Sequence, residues 1–461
     1  MDGGTLPEGI TLSRDGVFDG VPLQTGTFDL EVLAVDSQGN TGRRSYTIEI
    51  VPAEGIIDLT PDTLPNGRTY IEYEQQLSAQ GGSGDYVFSI VEGALPLGIA
   101  LSADGLILGT TRDRGDFNIS VEVLDSQRNS GLINYALIIE EGRPDPSTDP
   151  DVGRLIDGHF RKATKFAGHM IRHLNRRTDF LHYKLNCTGL EDDCNRLGIW
   201  QEGQVSGNEE ETTATLVLGA DYGLNDNLFA GFSLGYGQTS ESIGNLGTYS
   251  EATTNIYAGY FAAKLPGGFY LDGALGHGEI KFKDRRYILL RDVTETSERR
   301  GDYQFGSLKL SGDYPMQNNM VLSPYARYEA VRTNLDAYRE SGISDLSLAY
   351  GNTNQTSQRA VVGAALEKVF PRRWGVITGT IQAEIGRNHE SGYRQTITYL
   401  DTPDTTYVLE KAGSSSRHAA LGLEINLISG PSHFDFGIFA TQSGSSSKPD
   451  IGATFGWSYQ F

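Results

Sequence analysis

The stretch TATLVLGADYGLNDNLFAGFSLGYG, residues 213–237, alternates between large apolar and small or polar side chains on both sides of a short turn. In its first half Leu216, Leu218 and Tyr222 share one parity, whereas Thr215 and Asp221 share the other. The residues NDN connect this half to a second half with the same alternation. A period of two is that of a β-strand with unlike faces, so the stretch predicts an antiparallel hairpin.

The same alternation recurs to the end of the chain, which has no run of 18 apolar residues that would predict a membrane helix. It occupies twelve segments: 197–206, 212–224, 227–238, 252–264, 268–283, 301–314, 320–334, 356–370, 374–389, 405–428, 433–443 and 450–461. Short turns such as KLPGG alternate with long polar loops such as QTSESIGNLGTYSEA. This arrangement is typical of outer-membrane barrels. We predict a 12-stranded antiparallel transmembrane β-barrel; a large soluble β-sandwich is the alternative, but its inward face would have to be apolar.

Six carboxylates lie on the polar parity of these segments. A charge that faces lipid at the bilayer centre costs about 2–4 kcal/mol for Arg or Lys and somewhat less for a carboxylate. The six are therefore predicted to face the lumen and to make it negative. They are Asp221, Asp272, Glu367, Glu384, Glu424 and Asp435.

Residues 153–185 carry apolar side chains at three- and four-residue spacing, which predicts an amphipathic α-helix. Its opposite face is basic, with Arg154, Arg161, Lys162, Lys165, Arg172, Arg176 and Arg177. The helix could be solvated, lie on a membrane surface or pass through a polar pore. Complementarity with the negative lumen favours the pore. His169 and His173 have a spacing that metals can use, but no further ligands adjoin them and no metal is predicted.

Residues 1–140 contain an internal repeat with an offset of 89. LPEGITL, DGVFDGVP and GTFDLEVLAVDS correspond to LPLGIAL, DGLILGTT and GDFNISVEVLDS. A period near 90 residues is that of one β-sandwich domain. Residues 53–141 are predicted to be a complete domain and residues 1–52 the C-terminal half of another, so we expect the chain to be the C-terminal part of a longer exported protein. A Pro- and Asp-rich linker is predicted over 142–152.

The net charge of −21 is concentrated in residues 1–150, which contain 24 acidic and 8 basic residues. Such a surface argues against nucleic acid as a partner.

Cys187 and Cys194 predict either one disulfide in an oxidising compartment or two unpaired thiols. Asp36 and Asp125 end strands of the repeat, where they could bind calcium between modules or cap a turn.

The segment GFSLG, residues 231–235, fits the GxSxG pattern of hydrolases. Ser233 lies in the middle of a predicted strand, however, and not at a strand–turn–helix junction. The chain has no P-loop, GxGxxG or HExxH motif. We therefore predict no enzymatic activity and no cofactor.

The repeat resembles the bacterial Ig-like (cadherin-like) family in the paired segments quoted above. Residues 153–461 resemble monomeric (type V) autotransporters, most specifically in GADYGLNDNLFAGFSLGYG, YLDGALGHG and the final WSYQF. This resemblance implies an all-β chain of Ig-like sandwich repeats followed by a barrel, residues 186–461, with one α-helix in its pore. The self-cleaving members carry an adjacent Asn pair in that helix, whereas this chain has LNRR at 174–177.

The resemblance also implies a location and partners. The barrel would lie in the lipid of the Gram-negative outer membrane and export its own adhesin-type passenger to the cell surface, where it would meet a host or cell-surface ligand. Periplasmic chaperones and the barrel-assembly machinery would be partners, the latter reading a signal at Trp457, Tyr459 and Phe461. Two alternatives stay open: a channel with an Ig-like accessory domain, and an anchor for an upstream enzymatic passenger.

Overall fold

The computed structural model describes residues 3–51, 57–186, 196–209, 211–244, 247–443 and 449–461. The chain divides into two compact units, residues 1–144 and residues 145–461. The first unit holds the internal repeat, and the second holds the predicted helix and the alternating segments.

The first unit consists of short strands. They are β1 (Gly3–Gly4), β2 (Ile10–Leu12), β3 (Phe18–Gly20), β4 (Gly26–Val35), β5 (Thr41–Ile50), β6 (Ile57–Thr60), β7 (Gly67–Arg68), β8 (Tyr73–Gln76), β9 (Ser78–Gly81), β10 (Val87–Gly93), β11 (Ile99–Leu101), β12 (Leu106–Gly109), β13 (Gly115–Leu124) and β14 (Ser130–Glu140). The sheets in residues 57–140 are β10-β13-β14-β7, β11-β12-β8 and β6-β9. In residues 3–50 they are β1-β4-β5 and β2-β3.

Residues 57–141 enclose an apolar core between these sheets. On β13 the alternate residues Ile119, Val121 and Val123 are at most 2% exposed, and on β14 Leu137 and Ile139 are at most 3% exposed. The inward side chains recur at every second position, as the pleat of a strand requires. The described strands therefore form a layered β-sandwich, as the repeat predicts.

Some side chains are more exposed in the first copy of the repeat than at the matching positions of the second copy. Tyr46 is 40% exposed, whereas Tyr135 at the matching position is 2% exposed; Phe18 is 37% exposed, whereas Ile107 is fully buried. The hairpin β4–β5 has the same ten-residue register as β13–β14. The described strands of the first copy thus keep the hairpin of the second copy but leave part of its apolar face exposed, although Leu30, which matches Ile119, is buried in both.

The second unit opens with a short 3₁₀ turn, Pro146–Thr148, and the helix α1, Pro150–Leu185. The side chain of Asp149 caps the helix by accepting a hydrogen bond from the backbone N–H of Asp151 at 2.9 Å. Pro150 suits the first turn, where its missing N–H is not needed. The helix therefore includes the last three residues of the predicted linker. In the part of the chain that the structure describes, no helix is both long enough and apolar enough to cross a bilayer.

The remaining elements are strands. They are β15 (Leu197–Gly207), β16 (Glu211–Asn225), β17 (Leu228–Ile243), β18 (Thr248–Leu265), β19 (Phe269–Ile288), β20 (Val293–Gly312), β21 (Tyr314–Met316), β22 (Met320–Leu335), β23 (Tyr338–Arg339), β24 (Leu348–Tyr350), β25 (Thr353–Arg372), β26 (Gly375–Glu390), β27 (Tyr393–Tyr399), β28 (Thr406–Lys411), β29 (Ser414–Ser429), β30 (Ser432–Ser443) and β31 (Asp450–Gln460).

Twelve of these strands close into an antiparallel barrel. Their order is β20-β19-β18-β17-β16-β15-β31-β30-β29-β26-β25-β22, and β20 pairs with β22 to complete the ring. The first strand closes against the last, from Gly198 opposite Gln460 to Gly207 opposite Ile451. A closed ring leaves no unpaired sheet edge in lipid. The predicted 12-stranded barrel is confirmed.

The alternation of the opening stretch separates the two faces of the wall. On β16, Leu216, Leu218 and Tyr222 are 50–52% exposed on the outside, whereas Val217 and Asp221 are 1–2% exposed inside. The apolar parity forms the outer belt and the polar parity lines the lumen.

The long loops form a further sheet that the sequence did not predict. The strands β23, β24, β27 and β28 pair in that order. The predicted strand 405–428 is wrong, because the chain divides there into β28 and β29. The hairpin β26–β29 ends at Glu390 opposite Ser414 and continues as β27–β28 from Tyr393 opposite Lys411. The hairpin bends where Gly392 and Gly413 lie close together. A Cβ atom at Gly392 would lie only 3.1 Å from the backbone nitrogen of Gly413, so the bend leaves little room for a side chain there.

Candidate functional site: the helix-filled lumen

The helix α1 passes through the lumen, and most of its basic side chains meet carboxylates of the wall. Arg177 forms a two-pronged contact with Asp221 on β16, at 2.6 and 2.9 Å. The two side chains are 3% and 0% exposed. Asp221 also accepts a hydrogen bond from the Tyr260 hydroxyl at 2.9 Å, and the Trp200 indole N–H donates to that hydroxyl at 2.6 Å. This chain of contacts ties the helix to three strands of the wall, β15, β16 and β18.

Arg176, the preceding residue, meets three further carboxylates of the wall. Its guanidinium lies 2.6 Å from Glu202 on β15 and 3.2 Å from Glu424 on β29, and it also contacts Asp435 on β30. An Arg fork suits several carboxylates at once, because its five N–H donors lie in fixed directions. Two of the six predicted lumen acids thus converge on one helical side chain.

Nearer the long-loop end, Lys162 is fully buried and its Nζ lies 2.5 Å from Glu241 on β17, which Arg161 also contacts. Lys165 lies 3.2 Å from Asp450 and 3.4 Å from Glu211. A buried charge needs a partner in hydrogen-bond contact, and each of these two lysines has one. The helix is therefore matched to the wall along its length.

Two predicted helix cations make weaker contacts. Arg172 lies over the Phe439 ring, 3.9 Å from the guanidinium carbon to the ring centroid, and 3.4 Å from the Thr441 hydroxyl. Arg154 is 60% exposed and pairs with Asp151 one turn earlier, at 3.2 Å. Neither of these two contacts is a buried ion pair with the wall.

The remaining predicted lumen acids have different surroundings. Glu384 lies 3.0 Å from Arg327 and 2.9 Å from His418, both on the wall. Asp272 contacts His182 of the helix at 2.8 Å. Glu367 is half-buried on β25, and no ion pair within the described residues involves it.

The four buried histidines of the helix each contact a polar side chain of the wall, and His169 and His173 also both contact the Thr215 hydroxyl. His159 lies 3.0 Å from Asp284, His169 3.0 Å from Ser206, His173 3.1 Å from Glu202 and His182 2.8 Å from Asp272. His169 and His173 therefore share no metal-ligand set in this geometry.

One group of side chains has the composition of a metal site. The ligand atoms of Asp179, His182 and Asp272 lie within 4.8 Å of one another. The ammonium of Lys309 contacts Asp179 and lies 3.7 Å from Asp272. This ammonium already supplies the cation that the two carboxylates require.

The loop sheet packs against the N-terminal part of the helix. The Tyr393 hydroxyl donates to Asp157 at 2.6 Å, and the Lys411 ammonium lies 2.6 Å from the same carboxylate. The Tyr393 ring also packs on Phe160, with 5.0 Å between ring centroids. Residues of the loops thus hold the helix where it leaves the barrel.

The wall carboxylates Glu202, Glu211, Glu241 and Asp284 hold the helix and were missed by the sequence analysis. Parity alone could have indicated them: on β15, Glu202 shares its face with the buried Trp200 and Gln204. Which helical cation each one meets depends on the rotation of α1 in the pore, which no strand pattern gives.

The last strand keeps the predicted alternation. Phe455 and Phe461 are 55% and 58% exposed on the outer face, whereas Ser458 is buried inside. Trp457, Tyr459 and Phe461 form an aromatic row, with 6.4 and 4.8 Å between successive ring centroids. The backbone N–H of Phe461 donates to the carbonyl of Leu197 on the first strand at 2.9 Å. The predicted signal residues thus lie at the seam of the barrel.

The two repeat aspartates each organise a turn. Asp125 accepts hydrogen bonds from the backbone N–H groups of Ser83, Gln127 and Asn129 at 2.8–2.9 Å. Burial raises its pKa, but the hydrogen bonds from Asn129 and Ser83 outweigh this and leave the pKa of Asp125 below its ordinary value. Asp36 makes the equivalent turn contacts with Gln38 and Asn40.

Two predicted features remain to be placed. Ser233 is buried in the middle of β17, where its hydroxyl donates to the carbonyl of Ala258 at 3.3 Å. It does not lie at a nucleophile elbow. Cys187 and Cys194 lie outside the described residues.

Comparison with known proteins relates both units to families. The Autotransporter beta-domain model matches residues 197–438, and the Putative Ig domain model matches residues 1–51. The chain is similar to "Lipase 1" of Photorhabdus luminescens, with 24% identity over 261 residues, which are 55% of this chain and 38% of that protein. The chain thus spans less than two thirds of the length of this curated relative.

Two solved structures have a similar barrel. The β domain of the Bordetella autotransporter Brka is 17% identical, with a TM-score of 0.45, over 58% of this chain and 100% of that one. The translocator domain of the autotransporter NalP from Neisseria meningitidis is 16% identical, with a TM-score of 0.48, over 65% and 98%. Because the autotransporter model covers more than half of the chain, and the residues it matches lie in the closed barrel, this chain belongs to the autotransporter family, whose β-domains lie in the Gram-negative outer membrane.

Proposed function

We propose that the barrel exports the N-terminal Ig-like residues, an adhesin-type passenger, to the cell surface and then anchors them there. In this proposal residues 1–52 and 53–141 are the passenger modules, 142–152 the linker, 153–185 the retained helix and 186–461 the translocator. The observation that carries the proposal is the course of α1, which fills the lumen from one end to the other.

The polarity of the helix supports an outward-facing passenger. Near its N-terminus the helix contacts the long connections, because Tyr393 and Lys411 of the loop sheet both bind Asp157. Near its C-terminus the Lys264 ammonium donates to the carbonyl of Leu185 at 3.2 Å, beside the short turn that follows β18. Outer-membrane barrels place short turns in the periplasm and long loops outside. The chain before α1 would then leave the barrel on the cell-surface side.

The partners of this function follow from the same proposal. A chain that crosses the periplasm before its barrel closes would meet periplasmic chaperones. The barrel-assembly machinery would read the aromatic row Trp457, Tyr459 and Phe461 at the seam. The Ig-like modules would bind a ligand on a host or neighbouring cell.

Site-specific proteolysis of intact cells tests the orientation. One variant carries an inserted protease site in the linker, within residues 142–145, and a matched control carries the same site in the turn at Gly267–Gly268. We expect intact cells to be cleaved at the linker and not at the turn, and lysed cells to be cleaved at both. Cleavage at the turn together with a protected linker would mean that the Ig-like residues are periplasmic, as the channel alternative requires.

A second candidate function is an anchor for a catalytic passenger, favoured by the similarity to the protein named Lipase 1. The catalytic passenger of this alternative lies upstream of residue 1. Ester hydrolysis by intact cells that express the whole natural gene, compared with cells that lack it and with cells that display residues 1–461 alone, distinguishes the two candidates. Hydrolysis that needs the whole gene would favour the upstream catalytic passenger; equal background in all three would favour the adhesin.

A further inference from the structure

Two arginines lie side by side on the outer surface of the barrel. Arg387 on β26 is directly opposite Arg417 on β29, and both side chains are exposed on the parity that faces outward. Opposed side chains in an antiparallel pair have Cβ atoms about 4.5–5.5 Å apart, and like charges there are destabilising. In the described part of the chain neither arginine has an ion pair or hydrogen bond that would relieve this repulsion. The pair therefore favours a bound anion.

The arginines lie at the border of the apolar belt. Moving along β26 towards the short-turn end, the outward side chains include Ile385 and Ile381, which are 65% and 53% exposed. On β29 the corresponding outward side chains beyond Arg417 include Leu421 and Leu423. An anion at this pair would thus sit at the headgroup level, with its attached groups in the hydrocarbon region.

An apolar groove begins at the same pair. It has a volume of about 860 Å³ and is lined by both arginines together with Leu308, Tyr328, Val362 and Ile385. Its floor is formed by the small side chains of Ala326, Ala360 and Ala419. A barrel wall that carries alanine on β22, β25 and β29, with large apolar side chains around them, offers a channel for a chain-like apolar group.

A second groove continues around the wall from the first. It has a volume of about 620 Å³ and shares Val362, Ile385 and Ala419 with the first groove. Its lining also includes Leu421 and Ala440, together with the polar Glu384 and Gln442. Two adjoining grooves below one cationic pair match a lipid with several acyl chains and a phosphate group.

We propose that Arg387 and Arg417 bind the phosphate of an acylated anionic lipid of the outer leaflet, with its acyl chains in the two grooves. Arginine is suited to phosphate because its planar fork donates two parallel N–H bonds. The grooves add apolar contact that a free phosphate ion cannot make. The outer-leaflet assignment rests on the orientation under the proposed function, whereas binding to the purified protein does not depend on it.

The test is lipid binding by the purified full-length chain in detergent, measured by native mass spectrometry with added diphosphoryl lipid A. The variant R387Q/R417Q removes the pair, and R285Q/R300Q is the matched control. Arg285 and Arg300 are also exposed and outward-facing, but lie on β19 and β20 and do not line the groove. We expect the pair variant to bind at least tenfold more weakly and the control to bind as the wild type does.

A second variant tests the grooves without touching the arginines. Ala419→Phe places a large side chain in the lining that both grooves share and should also weaken lipid A binding. The unfolding midpoint, followed by tryptophan fluorescence, checks that each variant is folded. Equal lipid A binding by R387Q/R417Q and wild type would overturn the proposal, as would equally tight retention of a zwitterionic diacyl lipid. Full competition by millimolar inorganic phosphate would show a free anion site instead.

Discussion

Replacing Arg177 with Met should destabilise the barrel by about 3–5 kcal/mol, the cost of breaking a buried ion pair by removing one partner. Among the contacts between helix and wall, we expect this one to contribute most to the free energy of unfolding, because Arg177 and Asp221 are 3% and 0% exposed and share two hydrogen bonds. Without the guanidinium, Asp221 keeps only the hydroxyl of Tyr260 as a hydrogen-bond partner among these contacts.

The matched control is Arg154→Met, which removes a cation of the same helix. Arg154 is 60% exposed and pairs with Asp151 three residues earlier. Exposed pairs of this kind contribute about 0.2–1 kcal/mol. The two substitutions remove the same charge from the same helix. If R177M lowers the free energy of unfolding by about 2 kcal/mol more than R154M does, the difference is due to burial of the Arg177–Asp221 pair.

The assay is urea unfolding of the protein in lipid bilayers, followed by tryptophan fluorescence. All three tryptophans, Trp200, Trp374 and Trp457, lie in the barrel, so the signal does not include the Ig-like unit. The double variant R177M/D221N should recover most of the loss, because Asn keeps an acceptor for Tyr260 and carries no charge. A cost below about 1 kcal/mol for R177M, or no recovery in the double variant, would refute the buried-pair reasoning.

Three further predictions concern the pore, the seam and the Ig-like unit. Deleting residues 154–184 should raise the conductance of the barrel in planar bilayers severalfold, since the helix fills the lumen; unchanged conductance would contradict this. Removing Phe461 should lower the amount of barrel assembled in the outer membrane while leaving hydrogen-exchange protection in residues 57–140 unchanged. The pKa of Asp125 is lowered in the folded state, so its stabilisation is present above its unfolded pKa of about 3.9 and is lost as pH falls towards the folded value. Asp125→Ala should therefore flatten the acid dependence of hydrogen exchange in residues 57–140.

The barrel wall could be predicted from the sequence because lipid and lumen impose opposite demands on successive residues. On β16, Leu218 faces lipid and Val217 faces the lumen, and the same rule holds through Phe455 and Ser458 on the last strand. A strand between two unlike environments must alternate. That physical constraint acts on every crossing, so the number of strands follows from counting alternating segments.

The loop sheet could not be predicted in the same way. Its strands are two to seven residues long and lie between polar loop residues. Residues 406–411 alternate like the barrel strand that follows. The alternation therefore gives no sign of the bend at Gly413, and the sequence predicts the two strands as one. Only the pairing of Tyr393 with Lys411 shows that this hairpin has left the wall. A periodic pattern reports the faces of a strand but not the sheet to which it belongs.

The charges of the lumen were predicted as two complementary sets, and the structure distributes them differently. Arg176 and Arg177 do meet predicted acids. Glu384, in contrast, is neutralised within the wall by Arg327, which lies two residues from Glu329 on β22 and contacts it at 2.6 Å. Cross-strand register brings these side chains together, and register is not contained in the parity of a single strand.

This division of charge explains how a polar helix can be retained in a barrel. The wall formed by β22, β25 and β26 neutralises much of its own charge, since Arg359 also lies 3.4 Å from Glu329. On the opposite side Asp221 and Glu241 depend on helical cations for neutralisation. Withdrawing the helix would leave those carboxylates buried without a cation, which is costly. Ion pairs on one side therefore resist withdrawal of the helix, and under the proposed function the same contacts would anchor the Ig-like unit.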